Sequence, residues 1–115
     1  MAGMPNPTIL ALMAHPDDAE FLCAGALFLL ADLGCEIHVA AMAPGDCGSP
    51  DKPAEEIATI RREEGRRAAA LYPGECHCLE ERDLQIHYSP TTTKKACCLL
   101  REVRPAIALT QSPVD

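Results

Sequence analysis

His15, Asp17 and Asp18 stand together in Ala14-His15-Pro16-Asp17-Asp18-Ala19, directly after the apolar run Thr8-Ile9-Leu10-Ala11-Leu12-Met13. An imidazole and two carboxylates at the mouth of a buried strand are costly to leave unpaired, and a cation satisfies them together. His15 and Asp18 lie three apart across a turn into a helix, so a nitrogen and an oxygen can converge on one ion, a donor pair suited to zinc or a similar divalent metal. Asp17 is then left for another task. A carboxylate beside a metal-activated water can take its proton as general base. The plain alternative is that the acidic pair caps the following helix; the His-Pro context weighs toward the metal.

The elements that must position these groups follow from periodicity and turn residues. Thr8 to Met13 is expected as a strand, apolar on both faces as a central parallel strand must be. Asp18 to Leu33 is expected as a helix ending at Gly34, well buried because Phe21, Leu22, Ala24, Gly25, Leu29, Leu30 and Leu33 leave little polar face. Gly25 is expected to let helix and strand approach closely. A second strand over Glu36 to Ala43 leads into Pro44-Gly45-Asp46-Cys47-Gly48-Ser49-Pro50, too rich in Pro and Gly for regular structure and well placed to line a site. Ala54 to Leu71 reads as a helix with Glu55 and Glu56 in its first turn and arginines later, as the helix dipole prefers, and Tyr72-Pro73-Gly74 is expected to end it. Glu75 to Leu79 is a short third strand. Ser89-Pro90 opens a helix to about Val103, and Ala106 to Thr110 is a fourth strand.

Strands alternating with helices imply an α/β fold: a Rossmann-like open, mainly parallel sheet of about four strands, with helices on both faces and right-handed crossovers. In such sheets ligands sit beyond the carboxyl ends of the strands, near the point where strand order reverses. His15, Asp17 and Asp18 fall there if the first strand is central.

At 115 residues the chain is one domain at most. A net charge of −7 excludes nucleic-acid and anionic-membrane surfaces, which need clustered Lys and Arg, and favours a small molecule or a metal as partner. Seven cysteines, an odd number, and no signal-like start point to reduced thiols in a cytoplasmic protein. No apolar run approaches bilayer length.

The stretch Ala14-His15-Pro16-Asp17-Asp18-Ala19-Glu20, with Cys23-Ala24-Gly25 after it, resembles the signature of the metal-dependent N-acetylglucosaminyl deacetylases, the LmbE-like or PIG-L family. The resemblance extends to Gly45-Asp46-Cys47-Gly48-Ser49, Arg61-Arg62-Glu63-Glu64, Arg82-Asp83 and Ser112-Pro113-Val114-Asp115, in order along the whole chain. It implies a zinc hydrolase that removes acetyl from an amino sugar or related N-acyl compound, with His15 and Asp18 as metal ligands, Asp17 as general base, and Asp46, Arg61 and Asp83 contacting or orienting the sugar. It implies also that residues 1–115 are the N-terminal part of a longer deacetylase domain. The family's third metal ligand, a His, falls beyond Asp115, so this chain alone is expected to bind metal weakly and to turn over slowly or not at all. Many relatives have a His where this chain has Gln111. The fourth strand, left at an edge, offers a route to a homo-oligomer.

Other constellations weigh less. Consecutive residues of Cys76-His77-Cys78 point to alternating strand faces and cannot close on one ion together. His38 and His87 show no local partner. Cys47, in the loop expected to face the site, is the thiol to watch. Arg61 to Arg67 interleave with Glu63 and Glu64 as a solvated helix face does, Arg61 being promoted only by the family resemblance. A receiver-type phosphoacceptor domain would want an Asp at the end of the third strand and a Lys after a fifth; here the third strand ends at Leu79 with Glu80 and Glu81, and no fifth strand follows the fourth. A glycine-rich phosphate loop is absent too. The stronger rival is a non-catalytic binding or interaction remnant of the deacetylase fold.

Overall fold

The computed structural model describes residues 6–47, 49–71 and 74–112. Strands and helices alternate as β1 (Thr8–Met13), α1 (Asp18–Asp32), β2 (Glu36–Ala41), α2 (Ala54–Ala69), β3 (Gly74–Cys78), α3 (Pro90–Val103) and β4 (Ile107–Thr110). The sheet is parallel throughout, in the order β3-β2-β1-β4. The chain therefore steps outward from β1 to β3 and then returns to the other side of β1. That reversal places the switch point at the carboxyl end of β1, where the His15 loop begins.

The alternation along each strand sorts the core into two layers. On one face Ile9, Ala11, Met13, Ile37 and Val39 pack with Ala19 and Leu27 of α1 and Ala69 of α2. On the other, Leu10 and Ala40 meet Leu99 of α3, with Leu12 and Val103 at the margin. Ile9, Leu10 and Ala11 are fully buried, so the expected central strand is the core of the molecule.

The helix ends follow local chemistry. Gly34, at φ +93°, closes α1 with its amide on the Ala31 carbonyl (2.9 Å) while Cys35 N–H reaches Leu30 (3.0 Å), a pairing only a left-handed residue at that place permits. Ser89 caps α3, its hydroxyl accepting from the Thr92 amide at 3.2 Å, and Pro90 takes the first helical position.

Several expectations shift. β2 ends at Ala41, two residues early, because Met42 and Ala43 already turn to bond the Met13 and Ala14 carbonyls at the head of the loop. Gly74 belongs to β3 rather than to the end of α2; Tyr72 and Pro73 lie outside the described residues, as do Gly48 and Pro113 to Asp115. α1 is not well buried. Only Ala19 and Leu27 are enclosed, and Phe21 is 82% exposed, because a helix on a sheet presents one stripe to it whatever the composition of its other face. Gly25 faces open space, not the sheet: a Cβ there would meet nothing within 4 Å. His38 does have partners, since strand pairing brings His77 of β3 beside it, Nδ1 to Nε2 at 2.9 Å, and Glu36 to its Nε2 at 2.9 Å. Cys76 packs against the α1–α2 face of the sheet.

Two outcomes follow from the β2–β3 ladder. A Cβ at Gly74 would overlap the Ile37 carbonyl, its register partner, so Gly74→Ala is expected to lower stability in urea unfolding by about 1–3 kcal/mol. Burial, and then the neighbouring His38, lower the His77 pKa below its ordinary value of 6.5, against the carboxylates of Glu75 and Glu102. Protons therefore bind the unfolded chain first as pH falls: the contribution is whole above 6.5 and lost progressively below it. Unfolding midpoints in metal-free buffer should fall as pH drops below 6.5, and His77→Gln should flatten that slope.

Candidate active site

The His15 loop is a tight turn held by its own acid. The Asp18 carboxylate accepts from the His15 amide at 3.0 Å, and the Asp18 amide donates back to the His15 carbonyl at 3.3 Å. This turn sets the imidazole beside the carboxylate, with His15 Nδ1 3.7 Å from Asp18 Oδ2. At the usual zinc bond lengths of about 2.0–2.2 Å, one ion reaches both atoms. Asp17, although it is the residue before α1, makes no side-chain cap to the helix. It turns instead to Arg61 of α2, Oδ2 to Nη2 at 3.2 Å. The side-chain cap that the alternative expects of Asp17 is thus not made, while Asp18 stands in the first turn of α1.

The other side of the imidazole meets Asp83, from the loop after β3, with His15 Nε2 3.3 Å from Asp83 Oδ1. Asp83 is only 7% exposed. Its Oδ2 accepts the Cys47 amide at 3.0 Å, but Oδ1 is buried with no well-directed donor, the imidazole lying within ion-pair range and outside hydrogen-bond geometry. A buried carboxylate oxygen in that position demands an N–H. The His15 tautomer protonated on Nε2 would bring the nearest N–H to that oxygen and would leave Nδ1, on the Asp18 side, free to bind a metal. Carboxylate, histidine and metal in line is the arrangement that orients ligating imidazoles in general. The residues present thus fit a divalent ion. Among the described residues, no third His, Cys, Asp or Glu closes on His15 and Asp18 as a ligand group.

Asp46 supports Asp83 from the loop after β2. Its Oδ1 accepts the Asp83 amide at 2.8 Å and its Oδ2 lies 3.3 Å from Arg82 Nε. Asp46 is itself 7% exposed and does not line the cavity, so it acts on the site through Asp83. Cys47 adds its amide and a thiol contact at 3.9 Å to the Asp83 carbonyl.

An open cavity of about 430 Å³ lies over these groups, with His15, Asp17, Arg61 and Asp83 in its wall, Lys52 and Glu64 at its rim, and Ile57 and Ile60 as its apolar side. Arg61 reaches both Asp17 and Glu64 (3.3 Å), whereas Arg66 and Arg67 stay on the helix surface with Glu63, the solvated pairing expected of them. A second hollow of about 280 Å³, between α2 and the β2–β3 edge, has mainly apolar walls.

Sequence reasoning missed what Gln111 does. Its Oε1 accepts the Ala14 amide at 2.9 Å and its Nε2 donates to Asp18 Oδ2 at 3.3 Å, so the end of β4 clamps the His15 turn across the switch point. The signal was its place just beyond β4, but the partners lie more than ninety residues away.

A family model described as GlcNAc-PI de-N-acetylase, PIG-L, matches residues 10–115. The chain is 28% identical over 108 residues to a diacetylchitobiose deacetylase of Thermococcus kodakarensis, covering 91% of this chain and 40% of that one. Among solved structures it is similar to an inhibitor complex of N,N′-diacetylchitobiose deacetylase from Pyrococcus horikoshii, with a TM-score of 0.82, 30% identity, and 89% of this chain and 39% of that chain covered. A 4-carboxy-2-hydroxymuconate hydratase from Pseudomonas putida shares the fold at 23% identity, with a TM-score of 0.83 and coverage of 92% and 47%. The chain spans about 40% of the length of the curated relative it matches. With the His15 turn at the switch point of a parallel sheet and a family match over almost its whole length, the chain belongs to the PIG-L family of GlcNAc-PI de-N-acetylases.

Proposed function

We propose that this chain carries the catalytic loop of a zinc-type, metal-dependent deacetylase that hydrolyses the acetamide of an N-acetylglucosamine-type or related N-acyl substrate. The observation that carries the reading is the His15 imidazole held between Asp18 and Asp83 in the wall of a cavity, with Asp17 in the same wall. A divalent ion held by His15 and Asp18 supplies Lewis acidity toward the amide carbonyl and makes water a better acid. Zinc sites of this kind want a third protein ligand, which the proposal places outside the described residues.

The chain's own groups have separable tasks. Asp17 takes the proton of the attacking water and returns it to the departing amine, as one positioned carboxylate can in both halves of a hydrolysis. Arg61 holds that carboxylate at the cavity wall and, being in the wall itself, is positioned to meet sugar hydroxyls. Asp83 keeps the His15 ring turned so that Nδ1 faces Asp18, and lines the sugar cavity beside it. Asp46 holds Asp83 and reaches the sugar only through it. Ile57 and Ile60 give an apolar wall suited to the face of a pyranose or an acetyl methyl.

All seven cysteines are free thiols, which supports a reducing, cytoplasmic setting. No helix among the described residues is long and apolar enough to cross a membrane. The small-molecule partner follows from the acidic surface and the cavity size, and a homo-oligomer through the β4 edge remains part of the reading.

Two substitutions test the assignment. Asp17→Asn should cut acetate release from N-acetylglucosamine conjugates by about 10²–10⁴-fold with metal content unchanged; undiminished turnover would remove Asp17 from the reaction. Asp83→Asn should weaken divalent-metal affinity by about 10–100-fold in chelator competition, with the far-ultraviolet spectrum preserved. Full affinity in that variant would show that the ring is oriented by something else.

A further inference from the structure

The β2–β3 edge holds a second group of ligating side chains, remote in the strands from the loops that build the first. In the parallel register His38 pairs with Glu75, so the two side chains stand on one face of the sheet. His77, two residues further along β3, pairs with Ala40, whose small side chain leaves room for both rings. The rings lie side by side, 15° from coplanar with centroids 5.2 Å apart. His38 Nδ1 is 2.9 Å from His77 Nε2, and His77 Nε2 is 4.0 Å from Glu75 Oε2. One atom each from His38, His77 and Glu75 falls within a span of 4.8 Å.

We propose that His38, His77 and Glu75 form a second divalent-metal site, selective for zinc-type first-row cations, that staples the edge strand β3 to β2. The tautomers are arranged for it. Glu36 Oε1 is 2.9 Å from His38 Nε2 and accepts its N–H, which leaves the Nδ1 lone pair directed at His77. Without metal, His77 Nε2–H donates to that lone pair. With metal, the His77 proton moves to Nδ1 and both facing nitrogens become ligands, so neither ring has to give up a proton to bind it.

His38 is buried, whereas Glu36 and Glu75 are 55% and 69% exposed, so the carboxylates stand at an open mouth through which an ion reaches the rings. Two imidazoles with a carboxylate form a donor set of borderline softness, suited to zinc, cobalt or nickel and poor for calcium or magnesium. The group uses the amino-terminal half of β2 together with β3 on the α3 face, whereas the candidate active site is built from loops at the carboxyl ends. The proposal does not depend on the deacetylase reading.

The test uses the whole chain with the first site disabled by His15→Ala and Asp18→Ala. Titrated with zinc by calorimetry, this double variant should still bind one equivalent, and zinc should raise its unfolding midpoint. Cobalt in place of zinc should give visible ligand-field bands without thiolate charge-transfer absorption, which separates the site from Cys98, a thiol in the hollow beside His77. Adding His77→Gln should abolish the binding. Adding Glu75→Gln, at an exposed position that cannot disturb the core, should weaken it on the order of 10–100-fold. Absence of saturable binding in the double variant, a thiolate cobalt spectrum, or undiminished affinity with Glu75→Gln and His77→Gln would each overturn the proposal.

Discussion

Two carboxylates taken out of water, Asp46 and Asp83, constrain everything at the carboxyl end of the sheet. A buried acid is tolerated only where fixed donors meet it. Asp46 takes the amide of Asp83; Asp83 takes the amide of Cys47 with one oxygen and turns the other to His15. From there the connection runs through Asp18 to Gln111 and back to the Ala14 amide. The loops after β1, β2 and β3 and the end of β4 are thus laced by polar contacts that centre on the two buried acids. The imidazole sits in the middle of that chain with a carboxylate on each side.

The sheet order makes this lacing possible. β1 is central and buried at Ile9, Leu10 and Ala11, so the loop leaving it emerges between its two neighbours, and Asp83 from the loop after β3 and Gln111 from the end of β4 both reach it. The same framework carries a hydratase in a bacterial relative at 23% identity, so the architecture sets where a site sits and leaves the chemistry to the loops. Here the loops bring His15, Asp17 and Asp83, and α2 brings Arg61 and Glu64, to an open cavity, a set suited to holding a cation and moving a proton.

The two ends of the sheet treat their polar groups differently. At the carboxyl end, buried acids from separate loops each take one backbone amide, Asp46 that of Asp83 and Asp83 that of Cys47. Near the amino end of β2, His38 and His77 are brought together by strand register alone, and their acids remain in solvent. The exposed apolar face of α1 has a simpler cause: a composition apolar all round does not bury a helix that has a sheet on only one side.

The sequence by itself determined the alternation of elements, the central position of the Thr8–Met13 strand, the helix stops at Gly34 and starts at Ser89, and the place of His15, Asp17 and Asp18 at a strand's carboxyl end. These depend on interactions within a few residues: side-chain periodicity, left-handed glycine, a hydroxyl cap. The tertiary structure decided which groups those residues meet. That Asp17 pairs with Arg61 and does not cap α1, that Asp46 and Asp83 are buried, that Gln111 clamps Asp18, and that His38 lies against His77 all rest on contacts between segments some forty to nearly one hundred residues apart. Such contacts are set by strand order and register, which arise from packing the whole apolar core at once and leave no mark in any local stretch of the chain.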